Sequence, residues 1–204
     1  MSLVSVSGEL PPLVLASKSP RRKVLLKQIG LVSFDMVGAN INESIKPNER
    51  PRDAAVRLAL SKAKTVSLDR SDAFVLGADT IVARGQTVFH KPANCKEAYK
   101  CLKNLSGRKH QVYTGVAVCR PDGRSFTKLA ISIVTFKRLS GEEISSYIAT
   151  EEWRGMAGGY AIQGKAAAII KHISGSYSNI IGLPLHETMQ LLSGIGFPIV
   201  HSWE

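Results

Sequence analysis

Segments typical of strands and of helices alternate along nearly the whole chain, and this alternation restricts the possible folds most. Apolar runs at residues 12–17, 73–79 and 111–120 predict buried strands. Residues 20–30 and 51–68 lie between or beside them, and each begins with the proline that helices favour at their first position. Helices that alternate with strands must bury an apolar face against a sheet. The sequence therefore predicts one sheet covered by helices.

A turn at residues 85–86 predicts that the sheet is not purely parallel. Gly85-Gln86 joins residues 80–84 to residues 87–92 as a hairpin, which is antiparallel. Residues 126–139 and 166–177 are further predicted strands, and residues 184–196 are a predicted final helix. The expected class is α/β or α+β with a mixed sheet.

Length and composition indicate one globular unit. The chain has 204 residues, of which 44% are hydrophobic, enough for one sizeable core that could have two lobes. Residues 1–12 lack a basic stretch followed by a long apolar one, so we expect a short flexible leader and a single domain over residues 13–204. No run reaches the roughly 18 apolar residues of a membrane span. We expect a cytoplasmic protein that does not bind a membrane.

Charge and cysteine content narrow the class of partner. The formal net charge is +11, with basic residues spread along the chain, which favours anionic partners without choosing among nucleotides, nucleic acids and acidic membranes. Three cysteines without C-x-x-C spacing argue against a disulfide framework or a structural zinc site, and they indicate a reducing compartment.

Two motif-like stretches do not meet the chemistry of the motifs they imitate. Residues 159–166 fit a P-loop until Ala166, which removes the hydroxyl that holds Mg²⁺, and no buried strand precedes them. His186-Glu187 begins a zinc-protease pattern, but Gln190 replaces its second histidine. We interpret neither as functional.

Three other segments carry chemistry. Arg21 and Arg22 lie in a predicted first helical turn, where the helix dipole disfavours cations, so an anion is expected between them unless the turn is simply solvated. Asp79 follows a buried strand and could bind Mg²⁺ or activate water, although a turn-capping aspartate is the commoner case. Lys91, between a strand and a helix, could face a ligand or be an ordinary surface lysine.

Together these segments resemble the Maf family, a branch of the nucleoside triphosphate pyrophosphatases that share the inosine-triphosphate-pyrophosphatase fold. The order and spacing of the motifs carry the resemblance over nearly the whole chain after Pro12. The matching segments are LASKSPRR (15–22), INES (41–44), VRLALSKA (56–63), GADTIV (77–82), KP (91–92), LSG…VYTGV (105–116) and GGYAIQG…GSY…GLPL (158–185).

The resemblance implies a fold and a reaction. The fold is α/β, a long twisted mixed β-sheet with helices on both sides and two lobes around a central cleft, often in a homodimer. The reaction is hydrolysis of a nucleoside triphosphate to the monophosphate and pyrophosphate, with Mg²⁺ or Mn²⁺. Asp79 would be the general base and, with Glu43, a metal ligand. The implied substrate-binding residues are Ser17, Arg21, Arg22, Lys62, Thr80, Lys91 and Gln163.

Three of these positions imply the substrate subgroup. Arg21, Thr80 and Gln163 match the subgroup that acts on dTTP and UTP, whereas the subgroup that acts on 7-methyl-GTP has Trp, Gln and Glu there. An amide can both donate to and accept from the edge of a pyrimidine. Modified pyrimidine nucleotides are a further expected substrate.

One departure from the family keeps an alternative open. Gly155-Met156 stands where the family usually has Asp-Lys. With the charge of +11, this departure allows a nucleotide- or nucleic-acid-binding regulator with weak or lost catalysis. The retained Asp79, Lys62 and Lys91 favour the enzyme, and nucleic acid is not the expected partner.

Overall fold

The computed structural model describes residues 11–200, so most of the predicted leader lies outside the described residues. Among residues 11–200, no helix has the length and apolar character that a bilayer crossing requires. The strands are β1 (Leu13–Leu15), β2 (Asp35–Met36), β3 (Phe74–Arg84), β4 (Thr87–Phe89), β5 (Lys109–Cys119), β6 (Ser125–Phe136) and β7 (Ile170–Ser174). The helices are α1 (Pro20–Gln28), α2 (Pro51–Ser67), α3 (Cys95–Leu105), α4 (Gly141–Ala149), α5 (Tyr177–Ile181) and α6 (Leu185–Gly194).

All seven strands form one mixed sheet, as predicted. The order is β2-β1-β3-β5-β6-β7, and β4 pairs with β3 outside this path. Strand β1 is parallel to both β2 and β3, while β3, β5, β6 and β7 pair antiparallel in succession. The hairpin predicted at residues 85–86 joins β3 to β4.

One edge of β3 is interrupted in its middle. Strand β1 pairs with residues 74–76 of β3, and β4 pairs with residues 82–84. In the described part of the chain, no strand pairs with this edge at residues 77–81, although β5 continues along the other edge. The sheet therefore has an opening at which side chains from both of its faces can meet.

Helix α2 covers one face of the sheet at unusually short range. A Cβ on Gly77 would lie 2.3 Å from the carbonyl oxygen of Ala59, and one on Gly115 would lie 2.3 Å from that of Ala55. Glycine is thus required at both strand positions for α2 to approach. The close approach brings Lys62, on the inward side of α2, against the sheet.

Helices on the other face form two separate apolar clusters. Helices α1 and α6 pack with β1 and the start of β3, while α3 and α4 pack with the far parts of β3, β5 and β6. The cleft lies between these clusters, beside the interrupted edge of β3. This arrangement confirms the predicted helices on both sides and the two lobes around a cleft.

Several local predictions were wrong. Asp79 does not end a strand but lies in the middle of β3, because Gly77 is small to admit α2 rather than to form a turn. Val24 of α1 is 65% exposed although an apolar face was predicted for it. Residues 166–169, predicted as part of a strand, belong to a 3₁₀ helix (Lys165–Ile169) before β7.

Candidate active site

A cleft of about 880 Å³ opens at the interrupted edge of β3. All nine residues predicted for the site line it. They are Ser17, Arg21, Arg22, Glu43, Lys62, Asp79, Thr80, Lys91 and Gln163. Adjacent residues Asp79 and Thr80 point to opposite faces of a strand, so the break in the sheet edge explains how both reach one cavity.

Asp79 is fixed by a buried ion pair. Its Oδ1 atom accepts a hydrogen bond from Nζ of Lys62 at 2.6 Å, and the two residues are 7% and 8% exposed. Nζ of Lys62 also lies 2.8 Å from Oε1 of the more exposed Glu43. Because one ammonium serves two carboxylates, removal of Lys62 would leave two like charges side by side.

The contact with Lys62 makes the carboxyl group of Glu43 more acidic than usual. Partial burial raises the pKa of Glu43, but the hydrogen bond from Lys62 and the charges of Lys62, Lys91 and Arg22 outweigh it. The pKa of Glu43 therefore lies below its ordinary value. The carboxylate stays ionised in neutral solution, where it can attract a cation.

Arg22 is held by three elements of the fold. Its Nε atom donates to the carbonyl oxygen of Gly182 at 2.8 Å, Nη1 to Oγ of Ser17 at 3.1 Å, and Nη2 to Oγ1 of Thr80 at 3.4 Å. Burial lowers the pKa of Arg22, while the charge of Asp79 opposes that shift. A guanidinium has five N–H groups, so two remain for an anion in the cleft.

The other arginine of this helical turn reaches across the cleft. Nη2 of Arg21 lies 3.5 Å from the carbonyl oxygen of Gly155, and burial lowers the pKa of this guanidinium. Helix α1 begins at Pro20 with no acidic residue in its first turn, and Ser19 at its N-cap makes no side-chain capping bond. Residues 19–22 line the cleft, so this helix end, which has no acidic residue in its first turn, suits an anion there.

Gln163 lies on a turn whose backbone is held by two hydrogen bonds to neighbouring side chains. The hydroxyl of Tyr147 accepts from the backbone N–H of Ala161 at 2.9 Å, and Oε2 of Glu152 accepts from that of Lys165 at 2.7 Å. A Cβ on Gly164 would lie 2.2 Å from the same Glu152 oxygen, so a larger residue there would displace the Glu152 carboxylate. The Gln163 side chain itself is exposed and free to meet a ligand.

The cleft thus has two unlike ends. We call Ser17, Arg22, Lys62 and Asp79 the buried end, since each is less than one-tenth exposed. We call Arg21, Met156 and Gln163 the open end, since each is half-buried or exposed. Lys91 also lines the cleft and is exposed on the segment that follows β4.

Sequence reasoning missed the polar residues beneath the site. Thr114 and Asn179 are fully buried, and Oγ1 of Thr114 lies 3.0 Å from that of Thr80, its partner across the β3–β5 ladder. His110, also fully buried, bonds through Nε2 to the hydroxyl of Tyr160 in the cleft wall at 2.8 Å. A threonine facing inward on a predicted central strand is the signal that could have indicated Thr114, but the strand register was needed to place it beside Thr80.

The donor set for a metal ion is small. Among residues 11–200, no group of three or more histidine, cysteine, aspartate or glutamate side chains is placed to hold a metal. Glu43 and Asp79 nevertheless share Lys62 and line one cleft. Two carboxylates completed by substrate phosphates and water are a common set for Mg²⁺, so these residues fit such an ion.

The rejected motifs have other roles in the structure. Residues 159–166 join two short 3₁₀ helices instead of a strand and a helix, so they do not form a P-loop. His186 is an exposed residue in the first turn of α6. The three cysteines, all within the described residues, are free thiols.

Comparison with known proteins extends what the geometry shows. A solved HAM1 protein from Coxiella burnetii matches with a TM-score of 0.51 at 15% identity, covering 91% of this chain and all of that one, and the likeness shows the fold alone. A dTTP/UTP pyrophosphatase from Rhodospirillum rubrum is 49% identical, covering 91% of this chain and 89% of that protein. One from Caulobacter vibrioides is also 49% identical, covering 92% and 97%. The model of the Maf family, described as Maf-like protein, matches residues 12–195, and the chain belongs to that family.

Proposed function

We propose that this protein hydrolyses dTTP and UTP, and also modified pyrimidine nucleotides, to the monophosphate and pyrophosphate. The observation that carries the proposal is the gathering of Asp79, Lys62, Arg22 and Gln163 in one cleft, with charge at the buried end and an amide at the open end. Relatives of 49% identity that bear the name dTTP/UTP pyrophosphatase support it.

Asp79 is the proposed general base. Lys62 binds Oδ1, and among the described residues no hydrogen bond to Oδ2 is formed. Oδ2 can then accept the proton of a water that attacks the α-phosphorus, while the bond from that phosphorus to the bridging oxygen breaks and pyrophosphate leaves. A base held by a buried ion pair is already oriented before substrate binds.

The cations of the cleft would hold the phosphates. The two free N–H groups of Arg22, with Lys91 and Lys62, supply positive charge where negative charge grows on the leaving pyrophosphate. Oγ of Ser17 accepts from Arg22 and from the backbone N–H of Ser19. Its own hydrogen is thus free to be donated to a phosphate oxygen.

Glu43 and Asp79 would hold a divalent cation, Mg²⁺ or Mn²⁺, which neutralises charge on phosphate oxygens when bound. Their shared contact with Lys62 supports this assignment, because that ammonium already marks a place where two carboxylates attract positive charge.

The open end would select the base. Gln163 can accept from N3–H of a pyrimidine and donate to its carbonyl oxygen. Arg21 and Thr80 complete the subgroup pattern, and Arg21 also connects α1 to the segment that carries Met156 and Gln163. Met156 replaces the usual family lysine in this wall, which would lower phosphate affinity without changing the reaction.

A panel of nucleotides tests the proposal. Purified protein is incubated with dTTP, UTP, CTP, 5-methyl-UTP, GTP and 7-methyl-GTP, with Mg²⁺ or Mn²⁺, and products are separated by chromatography. Pyrimidine monophosphate with pyrophosphate is expected. Diphosphate with phosphate would show that another bond is cleaved, and 7-methyl-GTP as the best substrate would contradict the roles of Arg21, Thr80 and Gln163. If no nucleotide is hydrolysed, salt-dependent binding without turnover would support the regulator instead. The homodimer and the cytoplasmic location stay predictions.

A further inference from the structure

Four groups, two that line the cleft and two that lie beneath it, form a continuous line of hydrogen bonds. Nη2 of Arg22 lies 3.4 Å from Oγ1 of Thr80, which lies 3.0 Å from Oγ1 of Thr114, which lies 3.2 Å from the main-chain carbonyl oxygen of Asn179. Thr114 and Asn179 are fully buried and do not line the cleft. The line therefore connects a residue of the proposed active site to the interior of the sheet.

The donors and acceptors fix the direction of this line. A carbonyl oxygen only accepts, so the single hydrogen of the Thr114 hydroxyl points to Asn179. Oγ1 of Thr114 must then accept from Thr80, which leaves the Thr80 oxygen to accept from Arg22. The opposite arrangement would turn the Thr80 hydrogen to the carbonyl oxygen of Gly182 at 3.4 Å, where Nε of Arg22 already donates at 2.8 Å.

Asn179, the member of the line furthest from the cleft, is held by hydrogen bonds of its own side chain. Nδ2 of Asn179 donates to the carbonyl oxygen of Val112 at 3.1 Å and to Oγ of Ser132 at 2.8 Å. These side-chain bonds tie α5 to β5 and β6, so the main-chain carbonyl of Asn179 cannot move away from Thr114 without breaking buried hydrogen bonds.

We infer that Thr114 is a positioning residue, which orients the Thr80 hydroxyl so that Thr80 accepts from Arg22 and does not compete with it for Gly182. This inference rests on the proposed function and deepens it. Thr80 then acts in the site by holding Arg22, and its hydroxyl hydrogen is not available to substrate. The guanidinium keeps two N–H groups directed to the phosphates.

The test compares Thr114→Val with Thr188→Val. Valine has the shape of threonine without the hydroxyl, and Thr188 is equally buried in α6, where it donates to the carbonyl oxygen of Pro184 at 2.8 Å outside the cleft. Thr114→Val loses two buried hydrogen bonds and Thr188→Val loses one, so the temperature of thermal unfolding should fall in both variants and further in Thr114→Val. Only Thr114→Val should lower kcat/KM for dTTP and weaken binding of inorganic pyrophosphate, each by about tenfold, the effect of one hydrogen bond to a charged group.

Two further variants separate positioning from stability. Thr114→Ser keeps the hydroxyl and should restore both values to within about threefold of wild type. In a Thr80→Val background, Thr114→Val should cause no additional loss, because Thr114 acts through Thr80. Additive losses in that double variant, or no rescue by serine, would overturn the inference.

Failure of this inference can be distinguished from failure of the proposed function. A wild-type protein that hydrolyses dTTP, with Thr114→Val equal to Thr188→Val, would overturn the inference alone. A wild-type protein that hydrolyses neither dTTP nor UTP would overturn the proposed function. Calorimetric titration with inorganic pyrophosphate would then still decide whether Thr114 positions Arg22.

Discussion

The buried and open ends of the cleft are built by different means. At the buried end, Arg22 and Lys62 are each tied to several partners, including the side chain of Asp79 and the carbonyl oxygen of Gly182. At the open end, Gln163 is exposed, while its turn is held by the backbone N–H groups of Ala161 and Lys165 and by the buried side chain of Ile162. The buried end thus fixes its functional side chains, whereas the open end leaves the Gln163 side chain unfixed on a fixed turn.

The two ends should therefore differ in how well they tolerate amino-acid substitutions. Buried charges are costly unless each is paired, so a substitution at the buried end leaves a neighbour without its partner. Exposed side chains on a fixed loop can change with little effect on the fold. Met156 in place of the usual lysine is a change of this second kind. We therefore expect large losses of rate from the buried end and smaller changes of selectivity from the open end.

The largest expected effect is at Asp79. Asp79→Asn keeps the shape and an oxygen for Lys62 but removes the base, so kcat for dTTP should fall by about 10³-fold. Steady-state kinetics, with thermal unfolding to check the fold, would measure this. Asp69→Asn, an exposed position just after α2, should retain wild-type kcat. Near-normal turnover by Asp79→Asn would show that this end does not supply the base.

A second large effect is expected on the free energy of unfolding, through His110, which bonds to Tyr160 in the cleft wall. Burial lowers the pKa of His110 to about 4, from an unfolded value of about 6.5. The folded state therefore binds fewer protons in this range, and stability present above about pH 6.5 is lost as the pH falls to about 4. The expected loss from this group is about 3 kcal/mol.

Urea unfolding at several pH values would measure that loss. In His110→Gln the free energy of unfolding should change less between pH 6.5 and 4 than in the wild type. His172→Gln, an exposed position in β7, should leave the wild-type slope unchanged. Equal slopes in wild type and His110→Gln would mean that His110 is not held neutral against Tyr160.

A smaller effect is expected at Gln163. Gln163→Glu can still accept but cannot donate, so kcat/KM for dTTP and UTP should fall by about tenfold, with 7-methyl-GTP less affected. Gln86→Glu in the exposed β3–β4 turn adds the same charge outside the cleft and should have no effect. An equal loss for all nucleotides would indicate that Gln163 does not distinguish bases.

The smallest effect is expected at Met156. Met156→Lys restores the usual family residue, and its charge should lower KM for dTTP by about threefold with little change in kcat. Val24→Lys adds the same charge on an exposed part of α1 and serves as the control. A gain in kcat above tenfold would mean that the present chain lacks a catalytic group, which would favour the weakly catalytic regulator.

The two ends also differ in how far the sequence predicted them. The resemblance to the Maf family implied that Asp79, Arg22 and Gln163 share one site, and it implied that Lys62, on the inward side of the second predicted helix, reaches the same site. The sequence did not reveal that Asp79 lies within β3, because small residues such as Gly77 occur both in turns and where a helix approaches a strand closely. Thr114 was missed because its contact with Thr80 depends on strand register, which local patterns do not determine.

Hydrolysis of dTTP in water enriched in ¹⁸O tests the central claim most directly. The account predicts that wild-type protein places the label in the thymidine monophosphate, because water attacks the α-phosphorus, and that Asp79→Asn under the same conditions releases almost none. Label in the pyrophosphate, or labelled monophosphate from Asp79→Asn at the wild-type rate, would contradict the assignment of the attacked phosphorus or of the base.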